Sequence, residues 1–149
     1  QFDRARLAPS PEGVRTHALS GGSILVVDDN STNRRVVEAL LKNLGFSFAS
    51  VSNGLEAVTL ITEDGMTPEV VLMDCRMPVM DGYAATEKIR LWEQDNNKPR
   101  LPIIALTAGA FQEDREHCER VGMDDYITKP FNFGDLKAVL EKWIVRVEN

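Results

Sequence analysis

Cysteine is scarce in this chain: Cys75 and Cys118 are the two it has, far apart and in no C-x-x-C pair. That excludes a zinc-finger spacing and a disulfide framework, and two reduced thiols are the expectation for a cytosolic protein. No apolar run approaches the ~20 residues that span a bilayer. No charged-then-apolar start resembles a secretory signal. Membrane insertion by this segment is therefore not expected. Basic charge is also in short supply, with 17 Lys and Arg against 23 Asp and Glu and a net charge of −6. Direct binding to nucleic acid, which is driven by basic surface against phosphate, is disfavoured. The acidity is compatible with a cation site and with a basic protein partner. An initiating methionine is missing as well. The chain starts at Gln1, and a piece of a longer polypeptide is expected, because residues 1–22 read as a connector.

What is present suits one domain: 149 residues, 43% hydrophobic and 27% charged. Residues 1–22 carry Pro9, Pro11, Gly13, Gly21 and Gly22 without a period of 2 or 3.6, which predicts a flexible lead-in with a solvated His17. A single domain is expected over 23–149. Five apolar runs read as strands: Ile24–Val27, Phe46–Val51, Val70–Met73, Pro102–Leu106 and Asp125–Thr128. Helices are expected between and after them, over 31–44, 55–63, 83–94, 110–121 and about 133–146. In the first, Val36, Val37, Leu40, Leu41 and Leu44 make an apolar face, Asn30 or Ser31 can cap, and Gly45 suits a left-handed stop. Leu55, Val58 and Ile61 are available for packing in the second. Asn132 with Asp135 resembles a capping box before the last. Near-continuous apolar strands alternating with helices imply an α/β fold, a parallel sheet covered on both faces.

The carboxyl ends of those strands carry the chemistry. Asp28 and Asp29 follow the first, Asp74 the third, Thr107 and Ala108 the fourth, Lys129 the fifth. In an open parallel sheet such ends share one edge, where ligands bind. Three carboxylates there repel one another, and a divalent cation removes that conflict. Oxygen-only ligands favour Mg²⁺ or Mn²⁺ over zinc. Lys129 can pair with Asp74 at rest and with a phosphoryl group afterwards. Thr107 offers a hydroxyl and the loop from Ala108 a backbone amide. Phosphoryl transfer needs mainly positioning and charge neutralisation, so Asp74 can serve as a nucleophile that becomes an aspartyl phosphate. Each residue alone has a blander reading, as a helix cap, a turn carboxylate or a solvated lysine. All of those would have to coincide on one edge.

The segments LVVDDNSTNRRVVEALLKNLG, VLMDCRMPVMDGYAATEKIR, PIIALTAGA and GMDDYITKPF resemble, in order, the motifs of response-regulator receiver domains of two-component phosphorelays. They cover about residues 24 to 146. The style is most similar to receivers of hybrid sensor histidine kinases. The resemblance implies a doubly wound five-stranded sheet in the flavodoxin-like order 2-1-3-4-5, with helices on both faces. It implies that Asp74 takes phosphate from phosphohistidine and that Asp28, Asp29 and Asp74 hold Mg²⁺ with the backbone carbonyl of Arg76. Thr107, Ala108 and Lys129 would contact the phosphoryl group, and Thr107 with Tyr126 would form the switch pair. The implied partners are a histidine kinase domain, in the same polypeptide or another, and a histidine phosphotransfer protein. The implied location is cytoplasmic, with a parent protein that can be membrane-anchored. Catalysis would extend only to the domain's own aspartyl phosphorylation and dephosphorylation.

Arg76 departs from the neutral polar residue expected there, which suggests an effect on phosphoryl lifetime. It also argues against an aspartate-nucleophile phosphatase, which wants an acid at that position. An FMN carrier is disfavoured because Asp28 and Asp29 would repel the cofactor phosphate. A stand-alone response regulator or a degenerate interaction module are the remaining alternatives. Bland expectations cover the rest: His117 at the surface, Trp92 and Trp143 covering the sheet.

Overall fold

A computed structural model of the chain describes residues 15–17, 23–108, 112–129 and 131–144. The strands are β1 (Arg15–His17), β2 (Ser23–Val27), β3 (Ser47–Val51), β4 (Val70–Asp74), β5 (Ile103–Thr107) and β6 (Asp125–Thr128). The helices are α1 (Ser31–Leu44), α2 (Gly54–Thr62), α3 (Gly82–Asp95), α4 (Gln112–Val121) and α5 (Phe133–Trp143). They form a sheet in the order β1-β3-β2-β4-β5-β6. The five strands β2 to β6 pair in parallel in the expected 2-1-3-4-5 order.

The addition is β1, which pairs antiparallel with β3 at the sheet edge, Thr16 opposite Ala49. The sequence pattern predicts a flexible lead-in at these three residues. An edge strand can be held by backbone hydrogen bonds alone, so a short one leaves no side-chain pattern to read. The rest of the expected lead-in lies outside the described residues, as do Phe111, Pro130 and the end of the last expected helix.

Alternate residues of each central strand feed opposite cores. Leu25, Val27, Val71, Met73, Ile103 and Ala105 face α2, α3 and α4, meeting Leu60, Ile61, Ile89 and Val121. Ile24, Val26, Val70, Leu72, Ile104 and Leu106 face α1 and α5, meeting Val37, Leu41, Leu136 and Leu140. Both faces are dry, which is why the strands read as continuous apolar runs. Burying each large side chain contributes roughly 1.5–3 kcal/mol.

Helix boundaries follow their caps. The Asn30 side chain accepts from the Asn33 amide, and Gly45 closes α1 at φ 86°, a conformation open to glycine without strain. Asn132 and Asp135 form the expected capping box before α5. Two apolar positions were misplaced by spacing alone. Val36 is 50% and Leu55 47% exposed. α1 packs through Val37 and Leu41, with Leu40 and Leu44 partly covered, and α2 through Ala57, Leu60 and Ile61. The apolar stripe of each helix is narrower than its sequence suggests.

At the end of the sheet remote from Asp74, Arg90 of α3 ties three segments together. Its guanidinium donates to Glu93, Asp124 and the carbonyls of Leu101 and Gly122 at 2.8 to 3.2 Å. Asp124 also accepts from the amide of Ile103, the first residue of β5. Every charge of this half-buried network is partnered, the condition under which a buried ion pair is tolerated.

Candidate phosphoryl-transfer site

The register of the central strands assembles the site. Val27 lies beside Met73, so the next residues, Asp28 and Asp74, emerge side by side where the strand order reverses. Ligand crevices in open α/β sheets form at such a point. Asp74 lies beside Leu106 of β5, and Thr107 beside Thr128. The Lys129 amide donates to the Thr107 carbonyl at 2.7 Å. That bond continues the β5–β6 pairing by one residue and leaves the Lys129 side chain at the edge.

Carboxylate oxygens of Asp28, Asp29 and Asp74 lie within 4.8 Å of one another. Asp28 and Asp74 are buried and Asp29 is exposed. The Lys129 ammonium stands 3.3 Å from Asp28 Oδ2 and 3.5 Å from Asp74 Oδ1. Burial pushes the Asp74 carboxyl up from 3.8 to about 6, and the charge of Asp28 adds to the rise. Lys129 and the Arg76 amide, 3.3 Å from Asp74 Oδ1, pull it partly back. A third carboxylate and a raised acid beside one lysine leave negative charge in excess. The oxygen-only donor set and its close spacing fit a hard divalent cation.

The supporting contacts are local. The Asp28 amide donates to the Val51 carbonyl at 3.2 Å, and Asp28 Oδ1 accepts from the Asn30 amide at 2.9 Å. Arg34 of α1 donates to the Asp28 carbonyl at 2.7 Å. Sequence reasoning missed this residue. Its signal was an arginine in the first turns of a helix that begins beside the acid pair. On the other side, Gly82 opens α3 against the strand end, its amide donating to the Cys75 carbonyl at 3.0 Å. A Cβ on Gly82 would overlap the Asp74 carbonyl oxygen and stand 2.9 Å from Met73 Cγ.

The other expected site residues are placed as follows. Thr107 is buried at its strand end, and Ala108 is exposed just beyond. Arg76 contributes its amide to Asp74, while its side chain is exposed. Tyr126 is half-buried against the α2–α4 core, with the Arg115 guanidinium of α4 5.4 Å from its ring centroid. A groove of about 440 Å³ adjoins the site, lined by Asp28, Asn33, Val36, Val37, Lys129 and Phe131.

The response regulator receiver domain family matches residues 24–141. The chain belongs to that family. The receiver domain is 42% identical over 120 residues to the sensor protein GacS of Pseudomonas syringae pv. syringae, covering 80% of this chain and 13% of that protein. It is 34% identical over 143 residues to hybrid signal transduction histidine kinase L of Dictyostelium discoideum, covering 95% of this chain and 8% of the relative. The chain thus spans a small fraction of the length of these curated relatives. Among solved structures, it resembles the receiver domain of sensor histidine kinase PA1611 from Pseudomonas aeruginosa PAO1, described with a magnesium ion in its active-site cleft. That likeness has a TM-score of 0.74 and 45% identity, and covers 83% of this chain and 98% of that one. The Ssk1 receiver domain of Saccharomyces cerevisiae, solved with the phosphotransfer protein Ypd1, superposes at a TM-score of 0.77 with 30% identity, over 85% and 91% of the two chains.

Two further contacts near the site were not foreseen. Cys75 and Cys118 are both buried free thiols of one core cluster, and the neighbouring Cys118 together with burial holds the Cys75 thiol above the usual range. His117, expected at the surface, is partly buried and stacks on Tyr83, with centroids 3.7 Å apart and planes 9° from parallel.

Proposed function

We propose that the receiver domain accepts a phosphoryl group on Asp74 from a phosphohistidine and holds or relays it as part of a hybrid sensor histidine kinase. The observation that carries this reading is the position of Asp74, beside two further carboxylates and 3.5 Å from the Lys129 ammonium. An Asp74 Oδ–P bond forms as the P–N bond of the donor breaks, and the leaving imidazole keeps the electron pair. Lys129 and the Thr107 hydroxyl would receive phosphoryl oxygens, with the Ala108 amide as a further donor. Asp28, Asp29, Asp74 and the Arg76 carbonyl would hold Mg²⁺, with Mn²⁺ as a substitute. Bound there, the cation supplies positive charge against the phosphoryl oxygens. Thr107 and Tyr126 act as the switch pair, with α4 and its Arg115 forming the wall against which Tyr126 moves.

The apolar groove beside Asp28 and Lys129, with exposed Val36 on its rim, is a suitable seat for the helix of a phosphotransfer partner. The family match begins at residue 24, and the edge strand Arg15–His17 joins the sheet ahead of it. No helix among the described residues is long and apolar enough to cross a membrane. A cytoplasmic location suits exchange of phosphate with a kinase.

The test is incubation with acetyl phosphate or a phosphorylated histidine phosphotransfer protein, read by intact mass. One added phosphoryl group, dependent on Mg²⁺ and lost in Asp74→Asn, is expected. Absence of the adduct with both donors would identify a degenerate module instead.

A further inference from the structure

We propose that Arg34 is the positioning residue of the acid pair: by holding the peptide that joins Asp28 to Asp29, it sets the affinity of the carboxylate cluster for Mg²⁺, an assignment that rests on those acids holding the cation. The Arg34 guanidinium donates through Nη1 to the Asp28 carbonyl at 2.7 Å.

That contact falls on the one peptide the two acids share. Asp28 is 1% exposed, and its other polar groups are taken. Its amide donates to the Val51 carbonyl at 3.2 Å, its Oδ1 accepts from the Asn30 amide at 2.9 Å, and its Oδ2 lies 3.3 Å from the Lys129 ammonium. The carbonyl is the group left over, and Arg34 partners it. A peptide unit is planar, so fixing this carbonyl also fixes the direction in which the Asp29 Cα leaves β2. Asp29 depends on that direction. Its carboxylate is exposed and has no hydrogen bond or ion pair among the described residues, yet it comes within 4.8 Å of the Asp28 and Asp74 oxygens. Its place in the cluster is therefore inherited from the backbone behind it.

Arginine is an odd residue for this place on other grounds. Arg34 lies in the first turn of α1, and no acid stands in that turn to balance it. A helix N-terminus carries positive partial charge, which disfavours a cation. What the partly buried side chain gains is a hydrogen bond to a carbonyl that burial keeps from water, and such a carbonyl is costly to leave unpaired. A plain structural tie would affect the stability of the fold and nothing else. The charge of Arg34 separates that case from positioning. A cation near the acids opposes the binding of a second cation, so loss of charge alone should tighten the site. Loss of orientation should loosen it, as removal of an outer-shell contact does by about 10- to 100-fold. The sign of the change decides.

The test titrates magnesium chloride into the wild type, Arg34→Met, Arg34→Lys and Arg35→Met by calorimetry at fixed ionic strength. Arg35 is the exposed neighbour on α1 and makes no hydrogen bond to Asp28, so its variant carries the same charge change without losing the contact. Arg34→Met should bind Mg²⁺ about tenfold more weakly than the wild type. Arg35→Met should bind as tightly or more tightly, and Arg34→Lys, which keeps the charge and a donor, should stay within about threefold. Melting curves with chelator and with Mg²⁺ should show a smaller metal-dependent rise in Arg34→Met, beyond any loss common to both conditions. Arg34→Ala repeats the titration if Arg34→Met does not fold. Equal or tighter binding by Arg34→Met, or an equal weakening in Arg35→Met, would overturn the assignment. A wild type that binds no Mg²⁺ would instead remove the acid-cluster reading beneath it.

Discussion

The Lys129 ammonium lies 3.5 Å from Asp74 Oδ1, and Lys129 is attached to the neighbouring strand end through its amide on the Thr107 carbonyl. The cation and the carboxylate therefore belong to different strands, while backbone pairing sets the distance between them. Lysine suits this place better than arginine would. A compact ammonium on a mobile stem can leave one oxygen for another, whereas a guanidinium fork is committed to a planar partner.

Lys129→Met should slow phosphorylation of Asp74 by about 100-fold, as expected for loss of one positioned donor to developing charge. The variant removes a contact to Asp28 as well. The metal-free Asp74 carboxyl should then titrate above about 6, since the opposing positive charge of Lys129 is lost. Phosphotransfer rates and an NMR titration of the Asp74 carboxyl check both statements. An unchanged titration would show that Lys129 is not held where the carboxylate feels it.

Asp74 itself should cost stability. Its folded-state pKa, about 6, lies above its ordinary 3.8, so between these values the folded chain binds more protons than the unfolded one. Stability contributed at this position is greatest below about pH 4 and falls as pH rises through 6. Above pH 7, without metal, the ionised carboxylate should destabilise the fold by on the order of 3 kcal/mol. Asp74→Asn should therefore raise the melting temperature in chelator at pH 7.5, and the difference from wild type should shrink towards pH 4. Magnesium should stabilise the wild type more than the variant. Thermal melts across pH, with and without Mg²⁺, provide the measurement.

These relationships were unevenly legible in the sequence. Asp28, Asp74, Thr107 and Lys129 stood out because each ends an apolar run, and the parallel register then carries strand ends to one edge. The capping box at Asn132 was readable for the same local reason. Contacts between distant segments were not. Cys75 and Cys118 looked unrelated, and His117 looked solvated, because nothing in the local pattern of α4 states which of its sides meets α3. Helical spacing put Val36 and Leu55 inside, yet it cannot say how wide a stripe the neighbouring elements cover. Arg15–His17 carried no signal, since edge pairing is a backbone property.

Gly82 is the position where absence of a side chain is most constrained. The α3 N-terminus approaches the strand end so closely that an added Cβ would meet the Asp74 carbonyl and Met73 Cγ. Gly82→Ala should destabilise the fold by roughly 2–3 kcal/mol, the usual cost of overpacking where backbone must move. The displaced element would be the one whose Gly82 amide donates to the Cys75 carbonyl, so the loop after Asp74 should shift with it. Urea denaturation measures the first effect. Chemical-shift changes at Asp74 and Cys75, larger than those at the Arg90 end of the sheet, measure the second.

Val79 has φ of 70°, in the left-handed region, and is 75% exposed. It is the central residue of a tight turn in which the Met80 amide reaches back to the Pro78 carbonyl at 2.7 Å, and the Met80 carbonyl accepts from Gly54 at 2.9 Å. A β-branched residue is strained there, because its Cβ substituents crowd the backbone in that conformation. The turn is retained because Gly54 and the N-cap Asp81, which accepts from Ala84 at 2.8 Å, pin its far end. Val79→Asn should relieve the strain, since asparagine tolerates this region, and should stabilise the fold by about 1 kcal/mol. The side chain is largely exposed, so phosphorylation by acetyl phosphate should be unchanged. If the exposed valine serves instead to meet the phosphotransfer partner, transfer from that protein should slow in Val79→Asn while the small donor reacts as before. Measuring stability and both donors on one variant separates backbone strain from partner contact.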